Sequence, residues 1–194
     1  MTEAYAGPLH NEPLAIELHN TLYASEGKVV DGLATETSAR AWLDAIADRL
    51  PPEGSGRLPT RAELIQLRDP VREVLHAAVD GETFSRSSLD VINRISADAP
   101  RSPVARWRPG APPVADVDTH GASRAAVVLA ALAADVIDLL TSAGREALRS
   151  CGAPGCVLLF VKDHPRREWC SAACGNRARQ ARHYARVRHR HPAR

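Results

Sequence analysis

The sequence predicts a mainly α-helical domain carrying one small β-hairpin, followed by a small cysteine-bearing module that ends in a basic helix. Three observations predict this. Apolar residues recur every three or four positions through most of the first 150 residues. All four cysteines fall between Cys151 and Cys174. The charge is divided: residues 1–144 hold 13 Lys and Arg against 20 Asp and Glu, whereas residues 145–194 hold 12 against 3. A net −7 body thus precedes a net +9 module, hidden within an overall charge of +2. We divide the 194-residue chain at the cysteines, into residues 1–149 and 150–194.

The elements of the body follow in order. "EPLAIELHNTLYAS" places Leu14, Leu18 and Leu22 four apart, on one helical face. "KVVDGL" is a short apolar patch ended by Gly32, a turn or a brief strand. In "TSARAWLDAIADRL" the stripe Ala39, Trp42, Leu43, Ile46 and Leu50 predicts a helix, which stops at the surface loop "PPEGSG". Thr60 and Glu63 stand at capping-box spacing ahead of Leu64, Leu67, Val71, Val74, Leu75 and Ala78. Pro70 is expected to kink or divide that helix.

"SRSSLDVINRISADAP" predicts a further short helix with Leu89, Ile92 and Ile95 inward. "VARWRPGAPPVADVDT" alternates about "PGAPP" and predicts a β-hairpin of residues 104–108 and 114–118. After Gly121 comes the longest helix, with Leu129, Leu132, Val136, Leu139 and Leu140 facing a core. "TSAGREALRS", capped by Thr141 or Ser142, adds a short helix that leads into Cys151. The chain has no internal repeat.

Cys151, Cys156, Cys170 and Cys174 form a C-x4-C pair, a 13-residue gap and a C-x3-C pair. Two close pairs joined by a short loop suit a tetrahedral zinc ion, each pair giving two thiolates from one turn. The glycines of "CGAPGC" supply the permissive backbone of a metal-binding knuckle, and Cys170 and Cys174 can share a helical face. Leu158, Phe160 and Trp169 would form a miniature core beside the metal, in a treble-clef-like module. Two disulfides, or four unrelated buried cysteines, are the competing reading; a redox-switched site is a variant of the zinc reading, because thiolates on zinc can be oxidised. His164 is an alternative ligand, although four thiolates already fill the shell and make the zinc structural.

A four-thiolate zinc site carries a formal charge of about −2, which nearby arginines help to offset. They exceed that need. On a helix starting near Asn176, Arg179, Arg182, Arg186 and Arg190 follow at intervals of three, four and four, with His183 beside them. Ala178, Ala181 and Ala185 form a slim second face that could lie against the finger or the body. Guanidinium groups in such a row suit successive phosphates, and arginine also takes guanine edges bidentately. The competing reading is a solvated basic tail.

"CGAPGC…WCSAACGNRARQARHYARVR" resembles the CGNR zinc-finger family through Cys174-Gly175-Asn176-Arg177, the Trp169-Cys170-Ser171 step and the knuckle. In that family the finger follows a domain called ABATE, and "LAIELHNTL" is similar to its opening helix, with Asn20 and Thr21 matching and Glu17 in place of an Asp. "LRDPVRE" is similar to its arginine-bearing helix, with Arg68 and Arg72. Two departures lie in the loop between the cysteine pairs, which is slightly shorter and has Glu168 where the family has a basic residue. The resemblance implies a structural zinc ion and a stress-induced transcription regulator that binds nucleic acid.

The expected function is accordingly a DNA-binding regulator, with arginines on phosphates and Asn176 or Arg177 near the bases or bracing the finger. Double-stranded DNA is the expected partner; an RNA-binding or protein-interaction module, or a thiol-based redox or metal sensor, is the alternative. The body would sense an effector or form a homodimer. Asn20, Arg68 and Arg72 are candidates for binding a small anion, against a salt-bridged helix surface as the plainer account. "DVDTH" would point Asp116, Asp118 and His120 to one side, as a metal or acid–base group or as the wet face of a hairpin. With no phosphate loop, H-E-x-x-H or nucleophile elbow, no enzyme is expected. No apolar run of membrane-spanning length and no signal-peptide layout point to a cytoplasmic protein without a membrane partner.

Overall fold

The structure, a computed structural model, describes the backbone of residues 4–190 and side chains as far as residue 186. The opening leucines build a shorter helix than their spacing predicts. Helix α1 spans Leu14–His19, and the chain then turns into a hairpin of β1 (Leu22–Ser25) and β2 (Lys28–Asp31). Leu22 is therefore a strand residue, paired with Asp31. The turn at Glu26 and Gly27 takes positive φ at both positions (50° and 77°), the twist that a two-residue hairpin loop requires.

Helix α2 (Glu36–Ala45) starts at a capping box formed by Thr35 and Ser38 and continues into a 3₁₀ turn, Ala47–Arg49. Helix α3 (Arg61–Asp80) opens on the expected capping box of Thr60 and Glu63 and closes on Gly81 in the left-handed conformation. It runs unbroken across Pro70. Leu64, Leu67, Val71, Val74 and Leu75 on it are fully buried. At roughly 1.5–3 kcal/mol each, they outweigh the roughly 3 kcal/mol that an interior proline costs.

Helix α4 (Arg86–Ala97) leads to a hairpin of β3 (Ser102–Arg106) and β4 (Val114–Asp118), two residues earlier on its first arm than predicted. Helix α5 (Arg124–Thr141), capped by Ser123, buries Val128, Leu132, Ala133 and Val136. Helices α1 to α5 thus enclose one core centred on Ile16, Leu18, Trp42, Leu67, Val71 and Leu132. A single turn, α6 (Gly144–Ala147), then delivers the chain to β5 (Leu148–Ser150).

Strand β5 pairs antiparallel with β6 (Leu159–Val161), and helix α7 (Ala172–Arg190) ends the described chain. Alternation along β6 joins two cores. Leu159 and Val161 pack into the core of the body with Leu148, whereas Phe160 between them packs into a second core with Cys151, Leu158, Cys170, Cys174 and Ala178. Tyr23 of β1 packs against that second core from the body side. None of the helices among the described residues is long and apolar enough to cross a membrane.

Candidate metal centre and nucleic-acid interface

The cysteines meet because two short pieces of backbone bring them together. Cys151 follows β5, and its N–H bonds the carbonyl of Leu158 at 2.9 Å across the knuckle. The knuckle turns at Gly155, whose φ of 72° favours glycine, and the Cys156 N–H donates to the Ala153 carbonyl. Cys170 precedes α7 and Cys174 lies in its first turn, where Ser171 Oγ accepts from the Cys174 N–H at 3.3 Å.

The four sulfurs all lie within 4.8 Å of one another, with Cys170–Cys174, Cys156–Cys170 and Cys156–Cys174 at 3.4, 3.8 and 3.8 Å. No disulfide links them. A zinc ion bound at about 2.3 Å by four tetrahedral sulfurs sets them about 3.8 Å apart, so the arrangement fits that ion. The chemistry agrees. Hydrogen bonds from Cys156 and Cys170 hold the Cys151 thiol down, while the contact with Cys151 pushes Cys156 up to about 11, and contacts with Cys151 and Cys156 raise Cys170. Four sulfurs this close cannot all ionise without a cation between them. Arg177 Nη2 supports the site from outside, 3.3 Å from Cys174 Sγ. His164 stands apart, exposed, with Nδ1 accepting from the Arg166 N–H.

Helix α7 turns two faces to its surroundings. Cys174 and Ala178 are buried against the finger. Arg179, Arg182 and Arg186 are exposed along an adjoining side, with Asn176, Arg177 and His183 also exposed. Arg179 donates to Asn176 Oδ1 at 2.5 Å, and the guanidiniums of Arg179 and Arg182 lie 5.9 and 5.6 Å from the centre of the Trp169 ring. The side chain of Arg190 lies outside the described residues.

The three candidate anion-binding residues of the body lie together, each engaged within the protein. Arg68 is buried and pairs with Asp31 at 2.6 Å, tying β2 to α3. Arg72 donates to the carbonyl of His19 at 2.9 Å. Asn20 is buried at the end of α1 and faces the finger: its Nδ2 donates to the Leu159 carbonyl and its Oδ1 accepts from the Leu159 N–H, both at 3.0 Å. In the hairpin, Asp116 pairs with Arg106, Asp118 accepts from the His120 N–H, and His120 Nε2 lies 2.9 Å from Ser102 Oγ.

Sequence reasoning missed a second tie between body and finger. Glu12 is buried, accepts from the Val161 N–H at 2.9 Å with one oxygen, and pairs with Arg167 through the other. Arg167 lies over the Phe160 ring (4.9 Å) and donates to the carbonyls of Val161 and Cys170 at 3.0 and 3.3 Å. Nothing local marks Glu12 for this role, because its partners lie about 150 residues away.

A helical body and a tetrathiolate finger bearing a basic helix define a two-part zinc-finger protein. Residues 12–143 match ABATE, described as "Putative stress-induced transcription regulator", and residues 147–187 match the CGNR zinc finger. The chain belongs to the ABATE family and carries the CGNR finger. Comparison with curated proteins finds no match.

Proposed function

We propose that this protein is a DNA-binding transcription regulator whose finger grips the DNA backbone through helix α7. The observation that carries the reading is the row of Arg179, Arg182 and Arg186, exposed on one side of a helix whose first turn holds Cys174. An arginine row on a flexible tail would meet phosphates at random. Here zinc would fix the first turn, and the rest of the helix would follow it in direction. Asn176 and Arg177 sit where the helix leaves the metal, and their roles are to brace Arg179 and the Cys174 thiolate.

In this reading the zinc is structural, the chain is not an enzyme, and the acidic body senses an effector or forms a dimer. A cytoplasmic setting suits four cysteines kept as thiolates. The protein should bind duplex DNA with an affinity that falls steeply with salt, at a log–log slope of about −4 to −5 if about four to six phosphates are neutralised. A fluorescence-anisotropy titration at several salt concentrations tests this. Binding indifferent to salt, or absent at low salt, contradicts the proposal.

A further inference from the structure

Beside α7 runs a groove of about 470 Å³ that neither the metal nor the arginine row explains. One wall is Ala178, Ala181 and Ala185 of α7, the other is Gly152 and Pro154 of the knuckle, and half-buried Trp169 closes it. Arg182 stands on its rim. The lining is largely apolar. It offers the Trp169 indole and alanine methyl groups rather than a pattern of donors and acceptors. Outside it stand Arg179 and Arg186, which line a second hollow with Arg182 and His183.

We propose that this groove receives a single unpaired nucleobase against Trp169, while Arg179, Arg182 and Arg186 hold the phosphates on either side. The inference rests on the nucleic-acid reading above and refines it, since it states which form of the polymer binds best. The charge argues for this occupant. A groove inside a module of net +9 suits a polyanion, and bases are the flat apolar parts that a polyanionic chain carries. A paired base is covered on both faces by its neighbours in the stack. Only a single-stranded or locally opened segment can therefore supply the ligand.

Gly175 is part of this geometry. A Cβ there would lie 3.1 Å from the Trp169 ring, so the glycine lets α7 rest directly on the indole. Arg179 and Arg182 meanwhile keep their cations near the ring. The aromatic ring is thus held in place before any base arrives.

The test compares three DNAs of one sequence: a duplex, the duplex with a short unpaired bubble, and the same bubble with abasic sites. The wild-type protein should bind the bubble about 5- to 100-fold more tightly than the duplex. The abasic bubble should lose that advantage. Filling the groove from its exposed helical wall, with Ala181→Leu or Ala185→Leu, should abolish the preference while zinc content is retained. In Trp107→Phe protein, where buried Trp42 and Trp169 remain, the bubble should quench fluorescence more than the duplex does. Equal, salt-sensitive binding of all three DNAs overturns the base-stacking site and leaves the regulator reading standing. Failure to bind any of them overturns both. A preference that survives in the abasic bubble, or in the filled-groove variants, also overturns the site.

Discussion

Asn20 meets the backbone of Leu159 with both ends of its amide, so one side chain stands where a neighbouring strand would pair with β6. Asn20→Leu should leave the Leu159 N–H and C=O buried without partners and lower stability by about 2–5 kcal/mol, read from urea denaturation. Under Asn20 lies His19, fully buried, with Nδ1 3.0 Å from Asn20 Oδ1 and Nε2 3.2 Å from His76 Nε2. Burial, and then the nearby Arg72, depress His19 from 6.5 to about 3. The unfolded chain therefore takes up a proton that the folded chain refuses. The stability this gives is present above pH 6.5 and is lost as the pH falls towards about 3. Denaturation midpoints between pH 7.5 and 4.5 should fall less steeply in His19→Gln than in the wild type. Acid also releases zinc from thiolates, so the informative quantity is the difference between the two proteins.

At the scale of elements, the sequence was most legible where a long apolar period met a recognisable end. Helix α3 has both, and Thr60→Ala should cost about 0.5–2 kcal/mol through loss of its cap, measured by thermal or urea unfolding. Helix α5 was legible for the same reason. The start of the chain was not, because Leu14, Leu18 and Leu22 keep a helical spacing across the boundary between α1 and β1. What ends α1 is tertiary: Asn20 and Thr21 are buried, and Asn20 is spent on β6. The cysteine spacing pointed to the four-sulfur cluster that the structure brings together, which is consistent with a structural zinc site. The mooring of the finger by Glu12, Arg167 and Asn20 was hidden, since a contact across about 140 residues or more leaves no periodicity to read.

Over the whole molecule, body and finger are joined by a shared strand rather than a linker. Leu148 and Leu159 belong to the core of the body, while Phe160 belongs to that of the finger. Cys170→Ser should release zinc and unfold the finger while leaving the helical body folded. The shared strand should carry part of that loss into the body. Loosening β5 and β6 should expose two leucines worth roughly 1.5–3 kcal/mol each, and so lower the melting temperature of the body by roughly 5–15 °C. Circular dichroism should show a single weakened transition for the body together with lost helix from α7. An unchanged melting temperature would mean that β6 holds its place without the metal.

The direction of α7 depends on one ion that joins two backbone segments. Zinc-edge X-ray absorption on the purified, reduced protein examines that ion directly. We predict one zinc per chain surrounded by four sulfurs at about 2.3 Å. A shell containing nitrogen or oxygen, or protein free of zinc with α7 still formed, would contradict it.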